Sequence, residues 1–239
     1  MVIGSPAMIV AISFDVWNTL LKLDTMFNAI ARSISKHIGI DIDTARRALT
    51  DCYAESKKLV REGIVDGYRA VEESQHILAK KLGVDVETVK RAIVGAVMSI
   101  DIDSLLFPDT LEALEKLAER GFKMGVIGNT LIWPSSYTRF LLEKCGIAKF
   151  FRAQLYADEI GISKPDRRIF LHLCRSLGVE PQQTVHVGDS LSEDIGGALS
   201  AGMKAILIRR DSVGYTIVKE IGLAIVSNLK QVLEATTYF

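Results

Sequence analysis

The distribution of apolar and polar residues divides the chain into two kinds of pattern. Between residues 25 and 102 apolar positions recur about every 3.6 residues, as in "DTMFNAIARSISKHIG" and "DGYRAVEESQHILAKKLG", and proline is absent. This spacing is typical of amphipathic helices. Glycines interrupt the pattern, and Asp43 and Asp85 are of a residue type that caps helix N-termini. The segment is predicted to form about four helices in succession.

After Pro108 short strand-like runs alternate with helical runs. The strand-like runs are KMGVIGN, AQLYA, TVHVGD, KAILIR and AIVSN, and most helical runs between them end in glycine. Such alternation predicts a parallel sheet covered on both faces. The apolar run from Ile9 to Phe14 belongs with these strands. The predicted fold class is therefore α/β, with a doubly wound parallel Rossmann-like core (residues 1–21 and 104–239) and an all-helical cap domain (residues 22–103).

Composition and charge argue against several classes of partner. The chain of 239 residues has 29 Lys and Arg against 29 Asp and Glu, so no net field attracts it to nucleic acid or anionic membrane. No run approaches the roughly 18 to 20 apolar residues of a membrane helix. We expect neither nucleic acid nor a membrane as a partner, and the oligomeric state cannot be read from the sequence.

The cysteines and the N-terminal residues bear on the compartment. The three cysteines lack the spacing of a zinc site, and unpaired thiols suit a reducing environment. The N-terminal apolar run has no Lys or Arg before it, so we interpret it as the first strand rather than as a secretion signal. A cytoplasmic location is expected.

Chemically active side chains stand where the predicted strands end. Asp15 ends the first strand, Asn129 follows the second, and Asp189 follows the strand "TVHVG" with Asp194 about one helical turn later. Lys164 opens the helix after the third strand. Ligand sites of such sheets form beyond the carboxyl ends of the strands, so these groups are predicted to form one site.

At these four positions the chain resembles the haloacid dehalogenase-like hydrolase superfamily over nearly its whole length. The helical segment matches the cap that this family inserts between its first and second motifs. The second motif, a strand that ends in a small hydroxyl residue, falls on Gly128, with Thr130 as the alternative. The other three motifs are D-x-x-x-T at Asp15–Thr19, a lysine before proline at Lys164-Pro165, and G-D-x-x-x-x-D at Gly188, Asp189 and Asp194.

The resemblance implies covalent catalysis. Asp15 would be the nucleophile, Lys164 would bridge Asp15 and the transferring group, and Asp194 would hold Lys164 or a metal-bound water in place. The resemblance also implies Mg²⁺ as cofactor, bound by Asp15, the backbone carbonyl of Trp17 and Asp189, since oxygen ligands suit this ion. The implied contacts to the substrate come from Thr19, Gly128, Asn129, Thr130 and Trp17.

Two departures from the motifs bear on the reaction. Phosphatases of the family have a second aspartate where Trp17 stands, a general acid of the kind that contributes about 10²–10⁴-fold in rate. Its dehalogenases have an aromatic residue there instead. Gly128 lacks the hydroxyl that both groups use to bind the anion.

Other positions favour the phosphatases. The dehalogenases carry no acid at the position of Asp189, and they usually have a tyrosine at Phe170 and an asparagine at Leu191. A second acid close to Asp15 is costly without a cation, so Asp189 indicates a metal. We therefore predict a Mg²⁺-dependent phosphatase that acts on a small-molecule phosphate monoester through an aspartyl-phosphate on Asp15, with Trp17 in place of the usual acid.

Two other functions remain open. Trp17 is compatible with a 2-haloacid dehalogenase in which Asp15 forms the ester intermediate, and Trp17 with Gly128 is compatible with a catalytically weak binding or regulatory protein.

His186, within a predicted buried strand, is interpreted as a hydrogen-bonded core histidine. In the cap, Arg61 and Tyr68 flank a Gly-containing turn and are candidates to face the core.

Overall fold

The chain folds around one mixed sheet. The computed structural model describes residues 8–239. Residues 1–7 lie outside it, so the prediction that the N-terminus is not a secretion signal concerns residues that are not described. Within residues 8–239 the sheet has seven strands in the order β3-β2-β1-β4-β5-β7-β6. The strands are β1 (Ala11–Phe14), β2 (Lys123–Gly128), β3 (Phe151–Tyr156), β4 (Thr184–Gly188), β5 (Lys204–Ile208), β6 (Thr216–Val218) and β7 (Leu223–Val226).

Every neighbouring pair in this sheet is parallel except the edge pair of β6 and β7. The predicted α/β class with a parallel, Rossmann-like sheet is therefore confirmed. The short β6 was not predicted, because its three residues are exposed or only half-buried and carry no apolar alternation strong enough to be recognised.

The segment predicted to be helical, between residues 25 and 102, contains four long helices. They are α1 (Leu23–Ile38), α2 (Ile42–Arg61), α3 (Gly67–Leu82) and α4 (Val86–Ser99). Asp85 caps α4 by accepting the backbone N–H of Thr88. The predicted cap Asp43 is wrong, because Asp41 accepts the N–H of Thr44 and so begins α2 two residues earlier. The domain boundaries at residues 22 and 103 remain a prediction.

The remaining helices connect the strands of the core and cover the sheet. They are α5 (Ile102–Leu105), α6 (Thr110–Glu119), α7 (Ser135–Lys144), α8 (Ala157–Ile160), α9 (Arg167–Leu177), α10 (Gly197–Ser200) and α11 (Val232–Thr236). The segment "SEDIGGALSAG", predicted to be one helix, instead begins with a π-helical turn (Leu191–Gly196) before α10. The turn is wide because the backbone N–H groups of Asp194 and Ile195 both donate to the carbonyl of Ser190. π-turns of this kind are frequent at functional sites.

Strand periodicity places apolar side chains on both faces of the sheet. On β5, Ile206 and Ile208 belong to one buried cluster, whereas Ala205 and Leu207 belong to the cluster on the other face. This two-sided burial follows from the alternation of side chains along a strand. A sheet that is buried on both faces leaves the ends of its strands as the accessible place for polar groups.

The cap helices are joined to the core by two connections that pair with each other. Leu21 forms an antiparallel bridge with Leu106, and the N–H of Lys22 donates to the carbonyl of Leu105 at 2.8 Å. A hydrogen bond also joins the cap to the loop that follows β2. Gln75 Nε2 donates to the carbonyl of Ile132 at 3.0 Å. The cap therefore lies over the carboxyl ends of the central strands.

Each helix within residues 8–239 is too short or too polar to traverse a lipid bilayer.

Candidate active site

Lys164 brings together two of the predicted catalytic carboxylates. Its Nζ lies 2.6 Å from Asp15 Oδ1 and 2.6 Å from Asp194 Oδ1. The side chains of Lys164 and Asp194 are each only 2% exposed. Charge-assisted hydrogen bonds of this length are among the stronger ones in proteins. Asp15 and Lys164 lie in loops and Asp194 lies in the π-helical turn after β4, so the strand-end site expected from the sequence exists as a geometric cluster.

A third carboxylate completes an acidic group around this lysine. Asp15, Asp189 and Asp194 each place a carboxylate oxygen within 4.8 Å of the others. Asp189 is partly buried, and burial raises its pKa, as does the neighbouring Asp194. Of these three carboxylates, Asp15 and Asp194 pair with the Lys164 ammonium. The cluster has an excess of negative charge that a divalent cation would neutralise.

The pKa values of the clustered side chains are shifted by burial and by their neighbours' charges. The pKa of Asp15 is raised to about 7, because burial and the negative charges of Asp194 and Asp189 outweigh the opposing effect of Lys164. Burial also acts to raise the pKa of Asp194, but Lys164 and His186 hold it below its usual value. The pKa of Lys164 is raised, because the two carboxylates outweigh the effect of burial. Asp194 and Lys164 therefore stay ionised, and Asp15 is the group that lacks full compensation.

The glycine of the fourth motif is required by the position of Asp194. A Cβ on Gly188 would lie 2.3 Å from Asp194 Cγ, so only glycine allows the carboxylate to approach β4. The backbone N–H of Ser190 donates to Asp194 Oδ2 at 2.9 Å. His186 Nε2 lies 3.2 Å from Asp194 Oδ1. His186 is fully buried, and Ser13 Oγ lies 2.7 Å from its Nδ1, which agrees with the interpretation of a hydrogen-bonded core histidine.

The loop after β2 supports the lysine. Asn129 Nδ2 donates to the carbonyl of Lys164 at 3.0 Å, and the N–H of Lys164 donates to Asn129 Oδ1 at 2.8 Å. Thr130 Oγ1 accepts the N–H of Asp158 at 3.1 Å. The Asn129 amide is thus occupied in fixing the backbone of Lys164. Its predicted contact with substrate, and that of Thr130, remain predictions.

The loop after β1 leaves backbone groups available for a ligand. Asn18 adopts a left-handed conformation (φ 64), which asparagine tolerates better than most residues. Within residues 8–239, the N–H groups of Val16 and Trp17 and the carbonyl of Trp17 have no hydrogen-bond partner. Successive free N–H groups in a turn can bind an anion. A free carbonyl next to Asp15 is a suitable oxygen ligand for a cation, as predicted for Trp17.

The structure explains why position 128 is a glycine. A Cβ at Gly128 would lie 2.7 Å from ring atoms of Tyr156. The small hydroxyl residue of the second motif is therefore excluded by Tyr156, a residue that the sequence analysis did not consider. Thr130, the alternative position for this motif, lines the cavity between α2 and the core loops, and its Oγ1 accepts the N–H of Asp158, which leaves its O–H free to donate.

Thr19 is fully buried, so its hydroxyl does not face an open pocket. The hydroxyl has no hydrogen-bond partner among residues 8–239. The Thr19 carbonyl accepts a hydrogen bond of 2.7 Å from Arg210 Nη2, and Arg210 is also paired with Asp109 at 3.0 Å. Arg210 therefore anchors the loop after β1 to the end of β5, a role for which the sequence gives no signal.

Trp17 belongs to an aromatic cluster that joins core and cap. Its ring meets Trp133 edge-on at a centroid distance of 5.0 Å. Trp133 in turn packs on Phe27 of α1 at 6.2 Å, and Phe27 packs on Tyr53 of α2 at 5.2 Å. Trp17 thus fills the position of the expected acid with an apolar ring that is held from the cap side.

A cavity lies between α2 and the core loops. Its lining includes Lys164 and Asn129 from the core and Tyr53, Lys57 and Arg61 from the cap. The three cap residues are spaced four apart, which places them on one face of α2. Arg61 was a candidate to face the core, but Tyr53 and Lys57 were missed, although this spacing could have indicated them.

Two further contacts define the cap side of the site. Lys57 Nζ lies 3.0 Å from Glu193 Oε1, so a cap lysine is paired with an acid of the π-helical turn. Tyr68, the other cap residue that we expected to face the core, lies over Gly161 with its side chain largely exposed. Tyr68 contacts the core but is not among the residues that line the cavity.

Comparison with known proteins identifies the family. Residues 9–202 match the sequence model of a protein family, the haloacid dehalogenase-like hydrolases. The chain belongs to this family. A curated relative, glyceraldehyde 3-phosphate phosphatase of Methanopyrus kandleri, is 33% identical over 212 residues, which cover 85% of each chain. The predicted membership is confirmed, and the protein is an enzyme of the hydrolase class.

Solved structures of the family share the fold. The HAD phosphatase of Thermococcus onnurineus is 28% identical, with a TM-score of 0.62 over 94% of this chain and 96% of that one. A 2-haloacid dehalogenase of Pseudomonas syringae is 24% identical, with a TM-score of 0.67 over 96% of this chain and 99% of that one. At this identity the dehalogenase demonstrates a common fold only.

Proposed function

We propose that this haloacid dehalogenase-like hydrolase is a Mg²⁺-dependent phosphatase of small phosphate monoesters, with Asp15 as the nucleophile. The observation that carries the proposal is the imbalance of charge at the strand ends, where the carboxylates of Asp15, Asp189 and Asp194 lie together and Lys164 pairs with two of them. A reaction at a halogenated carbon requires no divalent cation, whereas a carboxylate that attacks a phosphate dianion does.

The available ligands fit Mg²⁺. They are the carboxylates of Asp15 and Asp189 and the unpartnered carbonyl of Trp17, all oxygen atoms, which is the donor set that Mg²⁺ prefers. When bound there, Mg²⁺ would neutralise the charge of the phosphate and of the attacking carboxylate. Asp194 is engaged by Lys164, His186 and the Ser190 N–H, so we assign it to the support of Lys164 rather than to the metal.

The reaction would proceed in two displacements at phosphorus. An oxygen of Asp15 forms a bond to phosphorus while the bond to the ester oxygen breaks, and the electron pair leaves with that oxygen. Water then attacks the aspartyl-phosphate, which releases inorganic phosphate and restores the Asp15 carboxylate. Lys164 holds the nucleophile in position, and the free N–H groups of Val16 and Trp17 are suited to bind phosphate oxygens.

Trp17 bears on the choice of substrate. Its indole cannot protonate a leaving oxygen, and Trp133 and the cap hold the ring in place. We therefore expect substrates whose leaving group needs no proton, such as aryl or acyl phosphates, to be turned over faster than alkyl esters. Equal turnover of an alkyl and an aryl monoester would contradict this expectation.

The relative named for glyceraldehyde 3-phosphate supports a small phosphorylated metabolite as substrate, and that compound belongs in the first panel. The remainder of the substrate would lie in the cavity against Tyr53, Lys57 and Arg61 of α2. Lys57 at that end is paired with Glu193, which also lines the cavity, so the aromatic ring of Tyr53 and the charge of Arg61 suit a polar group there.

The first experiment measures nitrophenolate release from p-nitrophenyl phosphate, with and without Mg²⁺, by the wild type and Asp15→Asn. Mg²⁺-dependent release that is lost in the variant is the expected result. Glyceraldehyde 3-phosphate and acetyl phosphate then separate alkyl from acyl substrates.

A 2-haloacid dehalogenase is the second candidate, and the aromatic residue at position 17 is the observation that favours it. Halide release from 2-chloropropionate without added metal, together with no phosphate release, would replace the phosphatase by this function. Mg²⁺ binding measured by calorimetry with no turnover of either class would instead indicate a binding or regulatory protein.

A further inference from the structure

A buried chain of hydrogen bonds runs from the sheet to the nucleophile. Ser13 Oγ lies 2.7 Å from His186 Nδ1, and His186 Nε2 lies 3.2 Å from Asp194 Oδ1. The same Asp194 oxygen lies 2.6 Å from Lys164 Nζ, which lies 2.6 Å from Asp15 Oδ1. Ser13 and His186 are fully buried. The reaction as described assigns no role to either residue.

The direction of each hydrogen bond follows from the chemistry of the end members. The Asp194 carboxylate is ionised and can only accept, so His186 Nε2 must carry a proton. Burial lowers the pKa of His186, so the ring is neutral and its Nδ1 has no proton. The Ser13 hydroxyl must therefore donate to Nδ1. One tautomer satisfies both contacts, and the serine selects it.

The sheet and a neighbouring ring fix the position of this histidine. Ser13 on β1 and His186 on β4 are register partners on adjacent strands, so their side chains project from the same part of the sheet. Phe170 of α9 packs edge-on against the imidazole at 5.0 Å and 90°. A Cβ on Gly197 would lie 2.5 Å from Phe170, which shows how closely this ring is enclosed. The imidazole is thus held on two sides and presents Nε2 to Asp194.

We infer that Ser13 and His186 act as a tether that fixes Asp194 and, through it, holds the Lys164 ammonium against Asp15. His186 is a positioning residue for the nucleophile, and Ser13 sets its tautomer. The inference rests on the proposed role of Asp15 as the nucleophile. Without the donor at position 186, Asp194 Oδ1 keeps only Lys164 while the N–H of Ser190 still holds Oδ2, so Oδ1 can swing about that contact and draw the lysine away from Asp15.

Two polar substitutions separate this role from simple filling of space. In His186→Gln the side-chain amide nitrogen can reach the place of Nε2 and donate to Asp194. In His186→Asn the shorter amide can meet Ser13 but cannot reach Asp194. Both variants keep a polar, smaller side chain in the same buried site, so they cost comparable packing. His172→Asn, at an exposed histidine of α9, is the matched control.

The assay measures kcat and KM for p-nitrophenyl phosphate with saturating Mg²⁺, per folded protein as judged by circular dichroism. We expect His186→Asn to lower kcat by about 10- to 100-fold, as is typical when the partner of a functional group is lost, with KM changed by less than about 3-fold. His186→Gln should recover most of kcat, and His172→Asn should match the wild type. Ser13→Ala should lower kcat less than His186→Asn, since the imidazole remains.

The outcomes separate this inference from the proposed function. If His186→Asn retains kcat, or if His186→Gln and His186→Asn are equally impaired, the tether is refuted while phosphatase activity stands. If the wild type releases no phosphate but releases halide from 2-chloropropionate, the phosphatase proposal fails. The His186 variants are then compared by their rates of halide release, because Asp15 would be the nucleophile in both reactions. A wild type that performs neither reaction refutes both proposals.

Discussion

Removal of the Lys164 ammonium is the perturbation whose effect on stability follows most directly from the structure. In Lys164→Met the two ion pairs of 2.6 Å are lost, and the carboxylates of Asp15 and Asp194 remain buried beside Asp189. Removal of one partner from a buried ion pair costs about 3 to 5 kcal/mol, because the other partner keeps its desolvation penalty. In a domain of this size that loss corresponds to a fall in melting temperature on the order of 10 °C.

The pH and Mg²⁺ dependence of this loss distinguishes charge from packing. Without the lysine, the pKa of Asp15 rises further and Asp194 loses a charge that lowers its pKa, so the buried carboxylates take up protons more readily as the pH falls. The destabilisation should therefore be largest at pH 8, smaller at pH 5, and reduced by Mg²⁺ at pH 8. A loss of packing alone would be the same at both pH values and insensitive to Mg²⁺.

The assay is urea unfolding followed by circular dichroism in EDTA and in Mg²⁺, at pH 5 and pH 8. Lys116→Met is the control, because Lys116 pairs with Glu112 at 2.6 Å on the exposed surface of α6, where little effect is expected. If Lys164→Met is as stable as the wild type at pH 8, or equally destabilised at both pH values, the assignment of Lys164 as the charge that balances this cluster is wrong.

Four further predictions concern single positions. Trp17→Asp should raise kcat/KM for an alkyl monoester relative to p-nitrophenyl phosphate, a ratio that is independent of the folded fraction. Asp189→Asn should weaken Mg²⁺ binding in calorimetry, while an unchanged affinity would remove Asp189 from the metal site. The pKa of about 7 for Asp15 in the folded state lies above its value in the unfolded chain, so ionisation of this group opposes folding when no metal is bound. The free energy of unfolding should therefore fall as the pH rises from about 4 to about 7. Asp15→Asn should remove this dependence of stability on pH. Gly128→Ser should lower the free energy of unfolding by about 1 to 3 kcal/mol, because its Cβ meets the ring of Tyr156, and unchanged stability would show that Tyr156 yields easily.

The sequence was sufficient for the architecture and for the charged centre of the site. Short, mostly apolar strand-like runs alternating with helical runs specify a parallel sheet with two covered faces. In such a sheet the carboxyl ends of neighbouring strands meet, so Asp15, Lys164, Asp189 and Asp194 could be placed together without coordinates. The observed contacts among these residues agree with that placement. Their predicted catalytic and metal-binding roles await the experiments above.

Sequence patterns predicted secondary structure less reliably where a strand is short or where the backbone departs from α-helical geometry. The edge strand β6 has three residues, too few for a periodic pattern. The π-helical turn before α10 arises because two N–H groups share the Ser190 carbonyl, a geometry that residue type alone does not specify. The same turn carries Asp194 toward Lys164, so the deviation lies at the site itself.

Only the tertiary structure determined which residues surround the charged centre. Ser13 and His186 are far apart in sequence and become partners through the register of β1 with β4. Gly128 has no room for a hydroxyl because Tyr156 of β3 packs against it. Tyr53 reaches the cavity because the cap packs on the core through Phe27 and the two tryptophans. The physical reason is common to these cases: hydrophobic periodicity is a local property that fixes elements and their ends, whereas contacts between side chains of different elements depend on register and packing between distant parts of the chain.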